Sequence, residues 1–252
     1  MSAPFLVDDL AELDARLLSR ADRVVSMRDV FDGDTDPRTI GLRHDVDDNP
    51  RALDTALRMA EWEAARGYSS SYYLLHDSHY WDNGMPVVAP LLEELGHEVG
   101  LHVNAIAEAL RQDRDPHDIL RDALVELRAT GVTVTGCVGH GDGLCRQAGF
   151  VNDEVFVESP RPDWGAPERT VSHAGVDVEI RPVSRAVYGL DYDAIWLPRG
   201  AYLSDSGGRW QNGYSNEAFD QTAVGFPFDG QLHLLQHPDH WGRAFVPAAV
   251  EA

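Results

Sequence analysis

Three short stretches of this chain place histidine and aspartate at the end of an apolar run. The first is Arg43-His44-Asp45-Val46-Asp47-Asp48, after Ile40-Gly41-Leu42. Side chains alternate along a strand, so Asp45 and Asp47 point the same way, about 7 Å apart. Carboxylates so placed repel each other, and a cation between or beside them removes that cost. The plainer alternative is a solvated acidic turn, a part that suits Asp48 and Asn49. The second stretch is Gly96-His97-Glu98-Val99-Gly100-Leu101-His102-Val103-Asn104. His102 and Asn104 repeat the spacing of two, and a neutral imidazole is a common ligand for Zn²⁺ and similar borderline metals. His97 begins the run, so it belongs to the opposite strand end and is structural. The third is His237-Pro238-Asp239-His240-Trp241, after Leu232-His233-Leu234-Leu235-Gln236. His237 can serve as a general acid or a metal ligand, with His240 and Trp241 in the loop beyond it.

Two further stretches add candidates. In Gly139-His140-Gly141-Asp142-Gly143 the glycines allow a sharp turn and a close approach to a ligand. His140 is a ligand candidate there, and the missing GK[ST] excludes a phosphate loop. Ser204-Asp205-Ser206-Gly207-Gly208-Arg209-Trp210 reads as a sugar-binding rim or a solvated turn. Asp205, Arg209 and Trp210 are its candidate substrate contacts, together with Asn104, His240 and Trp241. A serine hydrolase is disfavoured because no G-x-S-x-G elbow is present. His97 to His102 has one residue too many for H-E-x-x-H. Cys137 reads as a small core residue and Cys145 as an unremarkable loop thiol.

The elements that must position these residues follow a strand–helix rhythm. Leu10, Leu13, Leu17 and Leu18 predict a helix over Val7 to Arg23, and Asp32 to Pro37 a loop. Strands are expected over Thr39–Val46, Ser69–Leu75, Glu98–Val103 and Val132–Val138. Between them, Asn49 is expected to cap a helix with Pro50 at its first position and Gly67 at its end. A second helix is expected over Pro86–Leu95, and a third opens at Asp115-Pro116 and closes near Gly131. Later strands are expected over Val155–Val157, Val176–Ile180, Ala194–Leu197 and Leu232–Gln236. Four β/α units in succession predict a parallel sheet covered by helices. The long polar stretches of the second half then become loops at the face that carries chemistry.

At 252 residues the chain suits one β/α-barrel domain, 1–252, and no boundary forces two. It carries 42 acidic residues against 21 basic ones, all arginine, for a net charge of −21. Such a surface repels phosphate, so a nucleic-acid role is excluded. No apolar run approaches the ~20 residues of a membrane span. Met1 to Asp9 lacks a basic then apolar pattern, so a cytoplasmic location is expected.

Taken in order, these motifs resemble the polysaccharide deacetylase (NodB-homology) superfamily. Arg43-His44-Asp45-Val46-Asp47 resembles its first motif in the R-H-D-V-D branch. Glu98-Val99-Gly100-Leu101-His102 resembles the start of its second, and His237-Pro238 its last. The resemblance spans residues 39 to 242. It implies an α/β fold, a distorted (β/α) barrel of about seven strands, with a divalent metal, Zn²⁺ by preference, at its mouth. It implies Asp45 as general base, Asp47 and His102 as metal ligands and His237 as the acid that protonates a leaving amine. The expected substrate is an acetylated amino sugar, nucleotide- or lipid-linked or another small precursor of surface polysaccharide. This chain departs from the pattern at Ile106, where the superfamily usually has a second histidine; His140 or Asn104 can replace it, and His140 is preferred because imidazole binds borderline metals better than a carboxamide. The arginine–proline third motif is not evident. A hydrolase of a non-sugar amide and a non-catalytic carbohydrate-binding protein with a degenerate site are the competing expectations.

Overall fold

The computed structural model describes residues 10–34, 36–159, 168–207 and 231–245. Seven parallel strands follow the hydrogen-bonded order β8-β5-β4-β3-β2-β10-β9, and β1 also pairs with β2. They are β1 Arg23–Val25, β2 Thr39–Val46, β3 Ser71–Leu75, β4 Glu98–Val103, β5 Gly136–Gly139, β8 Tyr192–Asp193, β9 Ala201–Ser204 and β10 Leu232–Gln236. The strands β6 Arg169–His173 and β7 Val176–Ile180 form a separate antiparallel hairpin. Helices α1 Leu10–Arg16, α2 Met27–Phe31, α3 Ala52–Ala64, α4 Met85–Glu94, α5 Ala105–Gln112, α6 Pro116–Ala129 and α7 Gly143–Ala148 complete the α/β arrangement expected of the chain. Among the described residues no helix is long and apolar enough to cross a membrane.

The contacts divide the chain into two compact units, neither continuous in sequence. The first takes Met1–Tyr72, Leu91–Glu98 and Pro198–Ala252, the second Tyr73–Pro90 and Val99–Leu197. In the first, β2 is buried along its whole length. It pairs with β10 from Ile40↔Leu232 to His44↔Gln236, and β10 pairs with β9 from Leu232↔Ala201 to Leu235↔Ser204. Ile40, Leu42, Val46, Leu232 and Leu234 fill the core beside Ala56, Met59 and Ala60 of α3. In the second, β4 pairs with β5 and β5 with β8, both parallel. Asp115 caps α6 by accepting from the His117 N–H at 2.7 Å, and Pro116 stands at the first helical position. Gly100 of β4 is there because a Cβ would lie 2.3 Å from Tyr73 Cε1 and 2.9 Å from the Gly136 carbonyl oxygen.

Several elements differ from the sequence expectation. The first helix stops at Arg16, and a 3-10 turn, β1 and α2 follow it. Ser26 starts α2 through a capping box with Asp29, a signal hidden in a short polar stretch. The cap of α3 is Arg51, not Asn49. The Asn49 side chain instead accepts from the Arg51 N–H in a turn, which delays the helix. The expected strand from Val132 begins only at Gly136, because Arg128 takes the Val134 carbonyl at 2.7 Å. Val155–Val157 and Ala194–Leu197 are not strands. Asn152–Val155 and Ala194–Trp196 are 3-10 turns, closed by the Glu154 and Asp193 carboxylates on the N–H groups of Val151 and Ile195. Helix α5 and strands β6, β8 and β9 were not read from periodicity, because each is short and flanked by polar loops.

Candidate active site

In the first unit the candidate residues collect where β2, β9 and β10 end. Arg43 donates to Asp45 twice, Nε to Oδ1 and Nη2 to Oδ2, each at 3.0 Å. Both side chains are buried. Such a bidentate pair fixes the carboxylate in one plane. His44 faces the other way, as strand alternation requires, with Nε2 at 2.8 Å from Glu63 Oε1. Glu63 also accepts from the Tyr72 hydroxyl at 3.0 Å and the Ser70 hydroxyl at 2.7 Å. Burial alone would raise the Glu63 carboxyl, but the charges of His44 and His97 hold it below the usual range. His97 is part of this buried cluster. Its Nε2 lies 2.9 Å from the Ala60 carbonyl, and burial lowers its pKa.

Because Gln236 pairs with His44, His237 follows β10 beside the end of β2 that carries Asp45. Asp205 follows β9 and has no exposed surface. It accepts from His237 Nδ1 at 2.6 Å, from the His237 backbone N–H at 3.0 Å and from the Trp241 indole at 2.9 Å. His240 Nδ1 lies 3.7 Å away. Burial by itself would lower the His237 pKa and raise that of Asp205. The hydrogen bond and opposite charges reverse both, holding His237 up at about 9 and Asp205 down at about 2. Asp45 and Asp47 add to the field on His237. Asp205, His237 and His240 also offer ligand atoms within 4.8 Å of one another. In either role, cation ligand or proton donor, the His237 ring is anchored on Asp205 through Nδ1. Asp205 and Trp241 are spent on each other and on His237: the Trp241 indole donates to Asp205, and Asp205 accepts from His237. His240 is half-buried beside them. Arg209 and Trp210 lie outside the described residues.

In the second unit the ends of β3, β4 and β5 bring together His76, His102, Asn104, His140 and Asp142. His102 Nδ1 donates to the Val138 carbonyl at 3.1 Å, which leaves Nε2 as its lone-pair nitrogen. That nitrogen lies 3.1 Å from His140 Nδ1. Two imidazole nitrogens on one tetrahedral Zn²⁺ at ~2.0–2.1 Å stand about 3.3 Å apart, so the pair fits a shared cation. Ile106 is wholly buried on α5, and its N–H donates to Asn152 Oδ1 at 3.1 Å. Asn104 is buried with its carboxamide spent. Its Nδ2 donates to Asp77 at 2.7 Å and Asp142 at 3.0 Å, and its Oδ1 accepts from Asn152 at 2.8 Å. It braces the loops around His140 and has no donor left for a substrate.

Sequence reasoning missed His76 and the carboxylates around Arg111. His76 accepts the Asn104 N–H at 2.9 Å, and burial, with a smaller push from His102 and His140, lowers its pKa to about 4. Arg111 pairs with Asp142 at 2.5 Å, Glu108 at 2.8 Å and Asp77 at 3.4 Å. The signal for His76 was present, since Tyr72-Tyr73-Leu74-Leu75 ends in His76-Asp77 as the other strands end in theirs.

No protein-family model matches the chain, and no curated protein does. Among solved structures it is similar to a Streptococcus mutans CE4 esterase at 12% identity, over 88% of this chain and 82% of that one, with a TM-score of 0.42.

Proposed function

We propose that this chain is a metal-dependent hydrolase that removes the N-acetyl group from an amino sugar. The observation that carries the reading is a pair of held groups at the ends of neighbouring strands: Asp45 bonded by Arg43, and His237 bonded by Asp205, whose charge raises the His237 pKa. A fixed carboxylate beside a fixed imidazolium is what amide hydrolysis needs from a base and an acid. Asp47, His102 and His140 are the proposed metal ligands. One carboxylate and two imidazoles make a donor set suited to a divalent cation, Zn²⁺ by preference. Bound there, the cation supplies Lewis acidity that polarises the amide carbonyl.

The chain's own groups perform the proton transfers. Asp45 takes the proton of the attacking water as the new C–O bond forms. His237 donates its proton to the departing nitrogen as the C–N bond breaks, so the products are acetate and a free amine. Arg43 keeps the Asp45 carboxylate aimed, and Asp205 keeps His237 charged. We propose further that residues 1–252 act as one domain, since each unit is assembled from interleaved segments.

The test is elemental analysis beside an activity assay. Native protein is expected to hold about one divalent ion per chain, and an Asp47→Ala/His102→Ala variant none. Asp45→Asn is expected to keep the ion and lose at least ~100-fold in kcat on an acetylated amino sugar. Metal-free native protein after soaking, or full activity in Asp45→Asn, would overturn the reading. The first outcome would favour the carbohydrate-binding alternative.

A further inference from the structure

In the second unit the start of α4 and the end of α6 enclose a cavity of about 310 Å³. None of the residues assigned above to the candidate active site lines it. Trp81, Met85, Pro86 and Ala129 give it apolar walls. Trp81 is buried and held on two sides. Its indole N–H donates to Glu126 Oε2 at 2.6 Å, and its ring meets His76 edge-on with centroids 6.3 Å apart. Apolar surface continues outward on both helices. Val125 stands one turn before Ala129 on α6 and is 64% exposed, and Val87 follows Pro86 on α4 and is 62% exposed.

In an apolar cavity the few polar groups at the rim decide what is accepted. Here they include the carboxylates of Glu126 and Asp82. The acids of α6 recur every four residues, at Asp118, Asp122 and Glu126. Asp118 pairs with Arg121 at 2.5 Å and Asp122 with Arg114 at 2.7 Å. Among the described residues Glu126 and Asp82 pair with no arginine, and none lines the cavity. Arg128, two residues on from Glu126, is spent on the Val134 and Tyr188 carbonyls at 2.7 and 2.8 Å. The C-terminal end of α6, with Ala129 and Thr130, adds the negative end of a helix dipole. The facing end of α4 gives an anion little to bind. Pro86 has no N–H, and those of Met85 and Val87 go to the Tyr80 and Gly84 carbonyls at 3.0 and 3.1 Å. The Thr130 hydroxyl donates to the Leu127 carbonyl at 2.8 Å. An apolar wall with a negative rim suits a cation that carries an apolar body. The volume is near the lower end of small-ligand sites, roughly 300 Å³, so that body is about one ring in size.

We propose that this cavity binds a small organic ammonium, its apolar body against Trp81 and Met85 and its charged nitrogen between Glu126 and Asp82. Binding there does not depend on the hydrolase reading. The probes are phenethylamine and its neutral counterpart phenethyl alcohol, each titrated into the native protein with its tryptophans ¹⁵N-labelled. The Trp81 indole resonance, identified by its loss in Trp81→Phe, is expected to shift with saturation, and the amine to bind about fivefold tighter than the alcohol. Glu126→Gln/Asp82→Asn keeps an acceptor for the indole and is expected to erase that preference. Ala129→Phe fills the cavity and is expected to weaken both probes by about tenfold or more. The thermal midpoint of each variant checks its fold. An unmoved Trp81 resonance, equal affinity for the two probes in the native protein, or a preference that survives in the folded double variant overturns the proposal. Asp45→Asn is expected to bind the amine as the native protein does. Loss of binding in that variant would place the amine at the candidate active site and overturn the proposal as well.

Discussion

Asp205 and His237 illustrate how much of the chemistry is set by one partner. His237 titrates at about 9 because Asp205 outweighs the effect of burial, so Asp205→Asn removes the support and leaves the burial. In metal-free protein the imidazole of Asp205→Asn is expected to titrate near or below its ordinary ~6.5, read by NMR. A value still near 9 would mean that Asp45 and Asp47 carry the field instead. The same pair links stability to pH. His237 is raised in the folded state, so its contribution is complete below ~6.5 and disappears as pH climbs through about 9. Asp205 is depressed, so its contribution is complete above ~3.8 and disappears as pH falls through about 2. Activity that depends on protonated His237 should decline on the alkaline side of its pKa. At this scale the sequence was informative about residue types at strand ends, and less so about who holds whom. Asp205 and His237 lie 32 positions apart, and nothing in their spacing says that one anchors the other. Arg43 and Asp45, two apart on one strand face, were legible as neighbours but not as a bidentate pair.

The elements hold these residues through buried contacts of two kinds. Gly100 on β4 is packed so closely that Gly100→Ala must move Tyr73, whose hydroxyl meets that of Tyr192 at 3.1 Å. A loss of roughly 1–3 kcal/mol is expected from chemical denaturation, as for other overpacked cores. An unchanged midpoint would show that Tyr73 has room to turn. Glu63 of α3 is the second kind, a buried carboxylate holding His44 of β2, with Ser70 and Tyr72 completing its shell. Glu63→Ala strips that carboxylate from a buried histidine and is expected to cost about 3–5 kcal/mol. Kinetics at low temperature would then show whether β2 still presents Asp45. Elements with a clean apolar pattern, such as α6, β2, β4, β7 and β10, were readable in the sequence because burial on one face or both dictates their residues. The 3-10 turns at Asn152–Val155 and Ala194–Trp196 were not, because an Asp or Glu side chain bonding a nearby N–H decides them, and their apolar residues imitate a strand.

For the whole molecule the interleaving of segments makes a definite demand on unfolding. If residues 1–252 form one domain, calorimetry should show a single transition with matching calorimetric and van't Hoff enthalpies. Two separated transitions would divide the chain along the units described. With a net charge of −21, the midpoint should also rise with added salt as self-repulsion is screened. The pairing of Ile40 with Leu232 bears on biosynthesis as well. At ~5–20 residues per second, the edge of β2 that β10 covers waits roughly 10–40 s on the ribosome for its partner. A nascent strand with an open hydrogen-bonding edge is a template for aggregation. Arg43, His44 and Asp45 place three polar side chains in the C-terminal half of that strand. Polar and charged side chains in such a strand disfavour its adhesion to other chains, so the stretch of β2 that carries Arg43 and Asp45 also has the composition expected to keep the nascent strand apart from others until its C-terminal partner arrives.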